Sequence, residues 1–468
     1  MTQRSAHRNL VLVVVGLGTL LSTLAGSSIN LALPVIGREL VVGVQLSRWV
    51  VLAFMLSAAV LLLGAGRASD LWGHRRIYQA GFLLFGAASL VSGLAHSLWV
   101  LVAGRVLQGA GAALTMSAAP ALLTSSVPGA LRGRALGIMA TATYIGLTIG
   151  PPVGGFIIAA VGWRWIFLFN VPACLIMLVV GQLWLPVGER RQVRFDYPGM
   201  VTLLLGLPVA LLALTQGQEW GWGSPTTLGT ALGGAAVLAL FVRVELASPQ
   251  PLLDLSLFRS ATFTGAAISA FCNYVAIFVP IILIPFFLLE ALRLDTAHAG
   301  MLMAVMPLVM AFVASPSGWL SDRVGTRGLA VAGLTALGAA LVGLGLRGVC
   351  PRQECSIVEL GLWMALAGLG TGVFITPNSS ALMGSAPRAR QGTAGGVLAL
   401  ARTVGMMAGV SMGTAVFHGL GGRTGRDWTS ADLSALTVAV VVAGVVSLVG
   451  AASAALRGEA HSPAGSGR

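Results

Sequence analysis

Gly66-Arg67-Ala68-Ser69-Asp70-Leu71-Trp72-Gly73-His74-Arg75-Arg76 returns later in the chain as Gly318-Trp319-Leu320-Ser321-Asp322-Arg323-Val324-Gly325-Thr326-Arg327. Glycine, aspartate and glycine recur at one common offset. Each copy follows one long apolar segment and precedes another, so each reads as a short polar turn between two spans of a bundle. The chain is therefore expected to be a duplicated membrane protein with a hinge-like element at matching points of two halves.

Composition agrees with that reading. Of 468 residues, 56% are apolar and 9% charged, and the mean hydropathy is +0.89, which leaves too little polar surface to coat several soluble domains. Apolar stretches repeatedly exceed the roughly 20 residues that cross about 30 Å of hydrocarbon as a helix. Their glycines and prolines are tolerable where neighbouring helices re-satisfy the backbone. The spacing predicts spans near 10–33, 46–66, 77–95, 98–122, 135–161, 165–187, 197–216, 226–246, 262–289, 297–318, 328–347, 358–383, 393–419 and 433–456. The first could pass for a secretory signal, but its apolar run is too long for one and continues to Pro34 without a small-residue cleavage site.

Arginines concentrate in alternate connections, among them Arg67, Arg75, Arg76, Arg132, Arg134, Arg190, Arg191 and Arg327. By the positive-inside rule that side is cytoplasmic and holds both termini, in the cell membrane. The net charge of +13 is scattered over short loops without a basic stripe or interleaved aromatics. It therefore reads as topology and attraction to anionic lipid, and no nucleic-acid partner is expected.

The repeat offset exceeds the length of six spans: the first six end near Leu185, while the second copy begins near Thr262. Two further spans fill the gap. The expected organisation is a six-helix bundle over 1–189, two inserted helices with flanking loops over 190–260, a second six-helix bundle over 261–457, and a short polar cytoplasmic tail over 458–468. Two duplicated halves are the layout in which a site at their interface opens alternately to each side.

Three constellations carry the intramembrane chemistry. Arg105, followed by Gln108 and Gly109, lies several residues inside the fourth span, where a charge is costly enough to suggest function; the alternative is an arginine snorkelling to an interface. Gly146-x-x-x-Gly150-Pro151-Pro152-x-Gly154-Gly155 combines a small-residue packing face with prolines that remove helix hydrogen bonds, which predicts a kinked, closely packed helix able to seal the halves as they rock. Asp70 and Asp322 stand where a carboxylate can face helix N-termini and arginines, as a conformational latch with Gly66, Gly73, Arg75, Gly318, Arg323 and Gly325.

With these residues in view, the chain resembles the fourteen-span, drug:proton antiporter type of the major facilitator superfamily, over essentially all its spans. The paired turn motif, Arg105-x-x-Gln108-Gly109 and the Gly146–Gly155 segment carry the likeness. So do Trp163-Arg164-Trp165-Ile166-Phe167 with Asn170 and Pro172, Phe195-Asp196-x-Pro198-Gly199, and Arg402-x-x-Gly405. The resemblance implies an all-α membrane protein with the major facilitator fold, two six-helix bundles plus two inserted helices, fourteen in all. It implies export of small amphipathic compounds by alternating access, coupled to inward proton flow.

One departure bears on coupling. Similar antiporters usually carry an aspartate shortly before an Asn-x-Ala-Leu-Pro stretch; here that stretch is Asn30-Leu31-Ala32-Leu33-Pro34, and the aligned position is Ala25. Of the acids, Glu290 beside Phe286-Phe287-Leu288-Leu289 is the deepest coupling candidate, its alternative being an interfacial carboxylate pairing with Arg293. Arg105, Gln108 and Arg402 are the other transport and coupling candidates.

The remaining readings narrow the class. ATP cannot drive this chain through a P-loop, which needs a lysine, because the sequence has none. Gly343-x-Gly345-x-x-Gly348 lies inside a span and reads as packing. Gly409-x-Ser411-x-Gly413 resembles a serine-nucleophile setting, but His418 is about 10 Å further along the same helix, so no enzyme is expected. No cofactor or metal is expected either. Cys350 and Cys355 flank an outward loop that could hold a disulfide. Ser27, Asn30, Gln108, Tyr144, Asn273, Tyr274 and Phe278 are candidate walls of a substrate cavity. A small-molecule substrate, the bilayer and a coupling proton are the expected partners of a functional monomer. The alternatives are an exporter of one endogenous metabolite without protons, and a sensor or scaffold that moves nothing.

Overall fold

The computed structural model describes residues 2–29, 32–41, 49–186, 195–294, 296–349, 356–423 and 428–457. Those residues form helices joined by short turns, with no strand among them. In chain order the helices are α1 (Thr2–Ser28), α2 (Leu33–Glu39), α3 (Trp49–Trp72), α4 (His74–Gly93), α5 (Leu98–Ser126), α6 (Arg132–Val161), α7 (Arg164–Leu168) and α8 (Asn170–Trp184). They continue as α9 (Tyr197–Trp220), α10 (Pro225–Ala247), α11 (Ala261–Phe286), α12 (Thr296–Val324), α13 (Arg327–Gly343), α14 (Ile357–Ser385), α15 (Gln391–Gly419) and α16 (Ser430–Ala455).

Every expected span therefore has a helix. Among the described residues 12 helices are long and apolar enough to cross a membrane, or up to 13 with the bent pair in α6. The expected third span, α4, is 20 residues long but stands outside that set. Its first turns carry His74, Arg75, Arg76, Tyr78 and Gln79, which dilute its hydropathy. The first expected span also ends earlier than its apolar run, at Ser28, and Leu33–Glu39 forms a helix of its own.

Glycine determines how closely the helices approach. A Cβ on Gly81 of α4 would fall 2.9 Å from the Gly111 carbonyl oxygen of α5, and one on Gly111 only 2.7 Å from Phe85 N. In the second half, a Cβ on Gly333 of α13 would fall 2.7 Å from the Gly370 carbonyl oxygen of α14. Gly81 and Gly333 are separated by the same offset as Asp70 and Asp322, so the duplication extends from the turn motif into backbone contact. Without a hydrophobic drive between helices in lipid, this close van der Waals approach is what packs them.

By its contacts the chain divides into two compact units. The first holds residues 1–210, 232–255 and 386–400; the second holds 211–231, 256–385 and 401–468. The inserted helices are thus shared between units, and the start of α15, which by sequence belongs to the second repeat, packs within the first unit.

Candidate functional site

Asp70 lies in the last turn of α3, not in the loop after it. Its Oδ1 accepts from Gly392 N at 2.6 Å, and its Oδ2 accepts from Thr393 N and Thr393 Oγ1, both at 2.8 Å. The carboxylate sits on the N-terminus of α15, where unpaired amides and the helix dipole favour a negative charge. Glycine makes the seat possible: a Cβ on Gly66, one turn earlier, would overlap the Gly392 carbonyl. Gln391 completes the contact by accepting from Thr124 Oγ1 of α5 at 2.8 Å. Gly73 then turns the chain at φ +94, a left-handed conformation costly for any residue with a Cβ. Arg75 ties α4 to the end of α8 by donating to Leu185 O at 2.9 Å and to Gln182 O.

The second copy is built differently. Asp322 is half-buried, Arg323 lies over the Trp319 ring at 3.8 Å, and Arg327 donates to Ala455 O. Gly325 repeats the positive φ, at +87, so the turn is duplicated while the buried carboxylate seat belongs to Asp70.

Arg105 is 2% exposed and does not snorkel. Its Nε donates to Val50 O at 2.8 Å, its Nη1 to Gln108 Oε1 at 2.9 Å, and its guanidinium lies 4.3 Å from the centroid of Phe54. Gln108 Nε2 passes the chain on to Ser89 Oγ at 2.7 Å, and Ser89 donates to Phe85 O. One buried cation thus joins α3, α4 and α5 through a connected network, the arrangement under which an intramembrane charge is tolerable.

The glycine face of α6 meets α1 of the same unit. Ser27 Oγ donates to Gly146 O at 3.2 Å and Ser28 Oγ to Gly150 O at 2.8 Å. A Cβ on Gly154 would lie 2.8 Å from that of Ser28. The helix bends by 41° where Pro152 begins its second piece. Ser27 is therefore engaged in helix packing. The Trp163-Arg164 pair also has a defined partner: Trp163 Nε1 donates to Glu39 Oε2 at 2.6 Å, and Arg164 pairs with Glu39 Oε1. The Arg164 hydrogen bond, helped by that of Trp163, holds the Glu39 carboxyl below the usual carboxylate range.

Glu290 is half-buried in a π-helical turn, Phe287–Ala291, and accepts from Trp428 Nε1 at 2.9 Å. Four other acids are more fully buried by the protein itself. Asp432, Glu245, Asp70 and Asp196 are all under a tenth exposed, and they sit at helix ends, where the hydropathy pattern gave no sign of their burial. Asp432 is accounted for as the third-position acid of the capping box that Thr429 forms at the start of α16. Arg402 is half-buried. Asn273, Tyr274 and Tyr144 are buried and Phe278 is partly so. Asn30, Cys350 and Cys355 lie outside the described residues. Ser411 donates to Leu214 O and His418 faces Gly422 O, so the two are not paired. Arg457, just past α16, was not foreseen: it is buried against Asn378 and Gly265 O, and burial pushes its guanidinium down to about 10.

Similarity to known proteins supplies the family for this arrangement. The family description "Major Facilitator Superfamily" matches residues 15–268 and 266–467. The chain belongs to the Major Facilitator Superfamily. Among similar superfamily members, the riboflavin transporter RibZ of Clostridioides difficile is 30% identical over 411 residues, 87% of each chain. The multidrug resistance protein Stp of Mycobacterium tuberculosis is 32% identical over 407 residues, 86% of this chain and 74% of Stp. The proton:xylose symporter XylE shares the fold at a TM-score of 0.69 and 16% identity, over 96% of this chain and 95% of XylE. Superfamily members are transporters, and this one is a multi-pass membrane protein.

Proposed function

We propose that this superfamily member is a secondary active exporter of small amphipathic, drug-like compounds, working by alternating access in the plasma membrane with both termini cytoplasmic. The observation that carries the reading is the seat of Asp70 on α15. A carboxylate of the first repeat closes a helix start of the second repeat with three charge-assisted hydrogen bonds. Such a bond set is made or broken as a unit, so it stabilises one conformation against another and serves as a latch for a rocking cycle. Arg105 and Gln108 brace the helix that carries Asp70 from the other end. Export of drug-like compounds is supported by the likeness to Stp, named for multidrug resistance.

A second reading, export of one aromatic metabolite, is favoured by the similarity to the riboflavin transporter RibZ. Expression in a host lacking its own exporters tests both. Lowered accumulation of several unrelated dyes and antibiotics, abolished by Asp70→Asn, supports the first. Altered flux of riboflavin alone supports the second, and a parent protein that moves neither overturns both. The chain is proposed to act as a monomer.

A further inference from the structure

Asp196 and Glu245 have no part in the contacts described so far. Asp196 precedes α9 and Glu245 lies near the end of α10; both belong to the first unit and are 7% and 3% exposed. Each carboxyl has one oxygen held by a backbone amide: Gly199 N donates to Asp196 Oδ1 and Leu253 N to Glu245 Oε2, both at 2.9 Å. Each has a second oxygen, Asp196 Oδ2 and Glu245 Oε1, that is buried with no hydrogen-bond partner among the described residues. The two groups converge on Gly199, where a Cβ would overlap Glu245 Oε1 and fall 3.1 Å from Asp196 Cγ.

Two buried carboxylates this close repel one another, and each also has an orphan acceptor whose desolvation is unrepaid. One proton answers both problems, because it removes a charge and supplies a donor to the partner oxygen. A metal ion would need more ligands, and no cluster of three or more His, Cys, Asp and Glu side chains placed to hold one occurs among the described residues.

We propose that Asp196 and Glu245 form a proton-binding carboxyl pair that holds one proton between them, where the two inserted helices meet the helix bearing Asp70. Among the described residues, Arg67 of α3 is the cation whose field reaches the pair; Asp254 beside Leu253 is paired with Arg390 at 3.4 Å, and Arg243 on α10 is exposed. With one proton the pair carries a single negative charge, which Arg67 balances. Without it the pair carries two, and Arg67, one turn before Asp70 on α3, is drawn toward the pair. The inserted helices thereby gain a titratable link to the latch. Use of that link to drive export rests on the exporter reading; the proton site itself does not.

Infrared difference spectra of the full-length protein in lipid nanodiscs, taken across pH in H2O and D2O, test the site. The parent should show a protonated-carboxyl band that shifts in D2O and titrates away as pH rises. Glu245→Gln and Asp196→Asn should each abolish it, since a lone carboxyl has no like charge to share with. The parent should also melt at lower temperature as pH rises through the same range, because a proton held more tightly in the folded state stabilises the acid side and is lost toward the alkaline side. Glu245→Gln should flatten that dependence. A band that survives both substitutions, or a parent with no titrating band, overturns the proposal. Neither readout needs transport, so failure of the exporter reading in the accumulation test would leave the result standing.

Discussion

Arg105 shows how much a single intramembrane residue can be asked to do. Its guanidinium serves a backbone carbonyl, an amide side chain and an aromatic face at once. Lysine would keep the charge and lose the planar fork. Arg105→Lys should therefore reach the membrane normally, judged by immunoblot, yet export at a rate lower by roughly tenfold, the scale of one charged hydrogen bond lost in the working conformation. Gln108→Leu should add little in the Arg105→Lys background, because the two share one network; fully additive losses would show that they act separately. At Asp70 the expectation is asymmetric. Asp70→Asn meets three donors with a neutral amide, whereas Asp322 is only half-buried, so export should fall further in Asp70→Asn than in Asp322→Asn. Equal losses would count against the single buried seat.

Among elements, the helix pairs are decided by glycines whose importance cannot be read from hydropathy. Gly81 and Gly333 occupy repeat-equivalent points where α4 meets α5 and α13 meets α14. Gly81→Val and Gly333→Val should each lower the melting temperature in detergent by comparable amounts, overpacking of this kind costing about 1–3 kcal/mol. Gly300→Val, where a Cβ would meet nothing within 4 Å, should be near neutral and serves as the control. Much of this level was legible: the span positions follow from apolar runs, and the turn from Gly73 and Gly325. What was not legible was the role of the Gly146–Gly155 face, which packs on α1 through Ser27 and Ser28. A small-residue stripe states that something approaches closely, and it carries no information about which helix does.

For the whole molecule, the arginine bias predicts that the turns at Gly73 and Gly325, just before Arg75 and Arg327, share the cytoplasmic side with both termini. Reporter fusions after Arg194 and Arg259 should both report the cytoplasm; an outside signal at the first would break the even number of spans in the first half. Class, duplication, span positions and family were all determined by the sequence alone, because hydropathy, glycine turns and the repeat are local properties written in consecutive residues. The tertiary structure alone decided the rest. Asp70 finds its donors at Gly392 and Thr393, Glu290 finds Trp428, and Asp196 finds Glu245 across Gly199. In each case the carboxyl and its partner are far apart along the chain. Nothing in the neighbourhood of a carboxylate names the group it will meet; only helix packing brings that group within reach.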